Sequence, residues 1–185
     1  MQDKETAAVA PTASKARYYD DSGVGNPDFN LPAMHAVMHK LFCRWKRLNY
    51  HVRDFETAVE HEATLLYCDY VLEGKPVFDT VAELPSVEAA VAACGPVPPS
   101  QADTTPPKRL YTDDGDLNLE VDLSSFCAAL APFFLYGVTA NWQPRDFITM
   151  AKDLAASTLY DYDITASMGG LGGCQTAEEY LAAFD

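Results

Sequence analysis

Seven apolar residues, Met34, Met38, Leu41, Trp45, Leu48, Val52 and Phe55, follow one another at alternating steps of four and three. At about 100° per residue the first six fall in a stripe roughly 80° wide along one side of a helix. A seam that narrow is built to meet another helix, as in a bundle or coiled coil, and it excludes a purely β architecture for this part of the chain. Pro32 suits the first helical turn and marks where the pattern starts.

A second helix is expected from Asp54, as N-cap, to Glu73, with Gly74 as the terminating cap and Pro76 forbidding continuation. Asn49 to Arg53 reads equally as a turn or as the middle of one long helix. Thr80 to Glu83 and the stretch from Pro85 or Ser86 to Cys94 can open two shorter helices. Five of the twelve prolines then fall between Pro96 and Pro107, which favours an extended crossover. Beyond it, Leu117, Leu119, Val121 and Leu123 alternate with polar residues at the two-residue period of a half-buried strand, and Leu159 to Ile164 is its one weak partner.

Ser124 or Ser125 can cap a further helix, limited by Pro132 and ended by Gly137. Pro144 opens another, containing Phe147, Ile148, Ala151 and Leu154, and Thr176 to Glu179 opens a last short one. The expected fold is therefore mainly α: a helical hairpin or small bundle with an irregular N-terminal arm, a Pro-rich crossover and one or two short strands. Its expected divisions are an arm over 1–30, a helical module over 31–95, a linker over 96–109 and a second, mostly helical half over 110–185 packed on the first. Tyr18, Tyr19 and Phe29 would anchor the arm along a surface, its own or a partner's.

Charge narrows the function. Thirteen Lys and Arg against 27 Asp and Glu leave a formal charge of −14 in 185 residues, which repels phosphate backbones and anionic lipid heads. Nucleic-acid binding is disfavoured. No apolar run approaches the roughly 20 residues of a membrane span, and the N-terminus lacks the apolar centre of a secretory signal. The cytoplasm is the expected compartment, and the five scattered cysteines, an odd number without a CxxC pair, are expected to be reduced packing residues.

The search for chemistry gives fragments. His35, His39 and Cys43 stand one turn apart on the first helix, with His61 and Cys68 available on the next, a set from which a metal site could be made. The triplet lies about 100° to 180° from the apolar stripe, where water is expected. His61 and Glu62 begin an HExx motif, but Leu65 stands where its second histidine belongs. Glu62 and Asp69 fall on the apolar arc of Phe55, Val59, Leu65, Leu66 and Leu72, and require partners across an interface or shifted pKa values. Thr112 to Asp122 misses the spacing of a calcium loop and reads as a turn. Met168 to Cys174 has the glycines, but not the Lys-Ser/Thr pair, of a phosphate loop, and Cys174 has no histidine after residue 61 to activate it. No cofactor fingerprint is present.

Lys40, Arg44, Lys46, Arg47 and Arg53 gather five of the thirteen basic residues within fourteen positions. Such a flank can dock on an acidic protein surface or pair with the chain's own acidic segments. The expected function is a non-catalytic interaction or scaffold subunit of an intracellular protein assembly. It would dock through this basic-flanked helix, including Trp45, and through the arm with Tyr18 and Tyr19. The alternatives are a small metal-assisted hydrolase using His35 and His39 with Glu62 and Asp69, an enzyme using Cys174, or a regulatory binder of a helical ligand.

Overall fold

The structure, a computed structural model, describes residues 15–26, 29, 31–74, 92 and 106–167. The expected elements around Thr80, Ser86 and Thr176, the glycine run at Met168–Cys174 and most of the Pro-rich segment lie outside the described residues. The described chain is mainly helical, with α1 over Leu31–Arg47, α2 over Phe55–Tyr67, α3 over Leu123–Thr139 and α4 over Asp146–Ser167. No helix among the described residues is long and apolar enough to cross a membrane.

The seam of α1 is covered by its own chain: Met34, Met38, Leu41 and Trp45 are buried, and so are Val37 and Phe42, which widen it. α2 packs on both α3 and α4, while α1 packs on α4 and touches α3, so one core runs through all four helices. Rings fill its centre. Trp45 meets Tyr50, Phe55 and Phe126 at centroid distances of 4.8, 6.1 and 5.3 Å, and Phe147 meets Phe133 and Phe134 at 5.4 and 5.0 Å, mostly edge to face as aromatic quadrupoles prefer.

α1 and α2 are two helices, because Asn49 takes the left-handed conformation, φ 58°. The Tyr50 amide reaches back to the Trp45 carbonyl and the Asn49 amide to that of Lys46, the hydrogen-bond pair of a Schellman stop. A single 3-10 turn, Val52–Asp54, then leads into α2. α3 ends identically: Asn141 has φ 60°, and the amides of Trp142 and Asn141 bond the carbonyls of Gly137 and Val138. Gly137 therefore does not end α3 as the sequence implied. It sits inside the last turns because the Trp142 ring lies on it, and a Cβ there would stand 2.4 Å from Trp142 Cε3.

Asp54 precedes α2 but does not cap it with its side chain. Its carboxylate instead takes Arg109 Nε and Nη2 at 2.8 and 3.0 Å and the Leu110 amide at 2.7 Å, tying α2 to the incoming loop. Asp122, rather than Ser124 or Ser125, caps α3 by accepting from the Ser125 amide at 2.9 Å. Pro132 stays inside α3: the carbonyl its missing N–H leaves over belongs to exposed Ala128, where water can serve it.

Neither expected strand forms. Tyr111 and Leu117 make one isolated bridge across the turn at Gly115, and the Asn118 side chain accepts the Glu120 amide, bending the chain before another rung can add. Leu119 is left 93% exposed. Leu159 to Ile164 belongs to α4, whose buried residues Phe147, Met150, Ala151, Leu154, Ala155, Thr158 and Leu159 keep the helical period without a break.

Candidate functional site

The described part of the arm, residues 15–26 and Phe29, lies on its own chain. Ala16 bridges to Trp142, Tyr18 and Phe29 are buried, and Asp146 at the start of α4 accepts both Arg17 Nε at 2.7 Å and the Tyr18 amide at 2.9 Å. The Tyr19 hydroxyl donates to Asp153, which together with some burial raises the phenol pKa well above its ordinary value. Tyr19 itself stays 39% exposed.

The basic flank faces acidic and aromatic groups of the same molecule. Lys46 places its ammonium 4.5 Å from the Tyr162 ring centre, and Arg53 Nη1 is 2.6 Å from Asp163 Oδ2. Asp122 is held below the usual carboxylate range by the Ser125 side chain and amide, with the Arg44 charge adding to them. Lys46 and Arg53 are exposed, while Lys40, Arg44 and Arg47 are half-buried. Trp45 is wholly buried and its Nε1 donates to the His51 carbonyl at 3.0 Å.

The histidine triplet does not face water. His39 and Cys43 are buried and only His35 is half-buried, because α4 crosses over the side that the seam alone had left open. The acid brought to these histidines is Asp161 of α4, which the sequence reading did not select. One ligand atom from each of His35, His39 and Asp161 lies within 4.8 Å of the others, and His39 Nε2 is 3.9 Å from Asp161 Oδ2. Burial, with the His35 charge adding to it, lowers His39 to about 4 and keeps its imidazole neutral near pH 7.

Glu62 and Asp69 differ in burial, though both charges act on the Cys127 thiol. Glu62 is buried, accompanied by His61 Nδ1 at 2.8 Å and by the Cys127 thiol of α3, whereas Asp69 is half-buried. A π-helical turn over Cys68–Leu72 continues from α2. Leu65 and Leu72, expected inside, are 44% and 68% exposed. Burial first, and then the Glu62 charge and hydrogen bond, push the Cys127 thiol up to about 12, so it is protonated and a poor nucleophile. Cys174 lies outside the described residues.

The segment from Lys108 to Asp122 is an ordered loop over the far end of α1. Lys108 bridges to Tyr50, the Tyr50 hydroxyl accepts the Asp122 amide at 2.9 Å, and the Asp54 carboxylate grips Arg109 and Leu110. On this frame Tyr111, Leu117 and Leu119 stand 43%, 37% and 93% exposed. Sequence reasoning missed them because alternation put Leu117 and Leu119 on a buried strand face. The DDGD turn ahead of Leu117 was the signal that the segment folds back on itself. No family model, curated protein or solved structure matches this chain.

Proposed function

We propose that the chain is a non-catalytic interaction subunit of a larger protein assembly. The observation that carries this reading is the loop at Tyr111–Leu119, where three apolar side chains are held in water by a frame in which the Asp54 carboxylate accepts from Arg109 and Leu110 and the Tyr50 hydroxyl from the Asp122 amide. Holding them in place beforehand lowers the ordering cost of association, which is how a small patch gains useful affinity. Lys46 and Arg53, in α1 and in the 3-10 turn after it, are exposed but already engaged by Tyr162 and Asp163 of the same molecule. The partner is accordingly a protein surface with an apolar pocket and a basic margin facing the exposed carboxylates Asp113, Asp114, Asp116 and Glu120 of the same loop. The α1 seam, including Trp45, serves the chain's own core, so docking runs through the loop.

The test is light scattering after size exclusion of the chain isolated from its native source, alongside the double variant Leu117→Asp with Leu119→Asp. The natural chain should elute in an assembly heavier than its own 20.3 kDa. The variant should elute alone with an unchanged circular-dichroism melt. A natural chain running as a monomer, or a variant that remains in the assembly, would overturn the proposal.

A further inference from the structure

We propose that His35, His39 and Asp161 form a binding site for one divalent transition-metal cation of the zinc class, with a coordination position left open to solvent. The reading is independent of the loop and of any partner. α1 supplies two imidazoles one turn apart on one side of a helix, the arrangement in which two histidines share an ion. Their ring centres are 5.9 Å apart at an interplanar angle of 78°. α4 supplies the carboxylate from across the helix interface, and the three ligand atoms already lie within 4.8 Å of one another.

Tetrahedral zinc with bonds of about 2.0 to 2.1 Å places its ligand atoms about 3.4 Å apart. His39 Nε2 and Asp161 Oδ2, at 3.9 Å, are close to that spacing, and the remaining closure is a matter of side-chain rotation about χ angles. Asp161 keeps 31% of its side-chain surface and His35 is half-buried, so an ion can enter and a water can complete the shell. His39, 4% exposed, fixes the inner side. Two nitrogens and one oxygen suit zinc, nickel, cobalt or ferrous iron, whereas calcium and magnesium prefer oxygen throughout. The surplus of 14 negative charges raises the local concentration of cations. An ion held here clips α1 to α4.

The probe is zinc chloride added to the chelator-stripped full chain, followed by titration calorimetry and thermal melting. One equivalent should bind, and at a hundredfold excess over the dissociation constant the melting temperature should rise by about 5 to 10 °C. His35→Ala and Asp161→Asn, at half-buried positions that leave the core intact, should each weaken binding at least about tenfold. Cys43→Ala should leave it unchanged, since Cys43 is outside the ligand set. Failure to bind one equivalent, undiminished affinity in both ligand variants, loss of affinity in Cys43→Ala, or displacement of zinc by equimolar magnesium would each refute the site.

Discussion

Replacing Trp45 by alanine probes the packing on which the whole fold depends. The indole is wholly buried, touches three rings and donates to the His51 carbonyl, so truncation removes all of these at once. Large-to-small changes of this kind cost about 3 to 5 kcal/mol, and the His51 carbonyl keeps the Asp54 amide when the indole donor is lost. Against a total of about 5 to 15 kcal/mol, a loss near 4 lowers the melting temperature by roughly 8 to 16 °C in a chain of this size. Urea unfolding followed by circular dichroism measures it, and Trp142 remains as a fluorescent reporter. Trp45→Phe keeps a ring but loses the donor, and should cost only about 1 to 2 kcal/mol. A Trp45→Ala loss below about 1 kcal/mol would refute the reasoning, since a ring so surrounded cannot be dispensable to its own core.

Three further outcomes follow from single contacts. Gly137→Ala gains about 0.5 to 1 kcal/mol of helix preference but drives a methyl into Trp142, an overpacking cost of about 1 to 3, so thermal melting should show net destabilisation. Desolvation opposes ionisation of Asp54, yet its bonds to Arg109 and Leu110 prevail and set its pKa below the ordinary 3.8. Its stabilisation is therefore complete above pH 3.8 and fades as the pH falls through the lower folded value. Asp54→Asn should cost about 1 to 3 kcal/mol at pH 7 and flatten the acid-unfolding profile below pH 3.8, read by circular dichroism. Cys127 should resist iodoacetamide at pH 8 in the native protein and react once unfolded, as peptide mass spectrometry would record; rapid native labelling would contradict its protonated state.

The helical character and the seam of α1 were legible because burial imposes a strict period on a long segment. The break between α1 and α2 was not, since Asn49 tolerates the left-handed stop that glycine usually marks. The same oversight misplaced the end of α3. In both helices the informative signal is an Asn followed by a large ring, Tyr50 or Trp142, that folds back on the last turn. Alternation misled at Leu117–Leu123, where four matching residues are too few to outweigh a preceding Asp-Gly turn. It misled again at Leu159–Ile164, where the buried period running from Phe147 should have been extended.

The histidine pair was visible from spacing alone, but its acid was not. Asp161 reaches it only through the crossing of α4 over α1, a long-range contact that a local pattern cannot encode. Glu62 was rightly singled out as an acid needing company, which proved to be His61 and Cys127 rather than a cation from another helix. The π turn at Cys68–Leu72 left no mark in the hydrophobic pattern.

The central claim is that the molecule meets its partner through the loop that carries Leu119. A photoreactive amino acid in place of Leu119, activated in the native source, tests it most directly. The expected product is a covalent adduct of defined mass above the 20.3 kDa chain, lost when Leu117 is replaced by Asp. Recovery of the bare chain alone, or an adduct indifferent to Leu117, would contradict it.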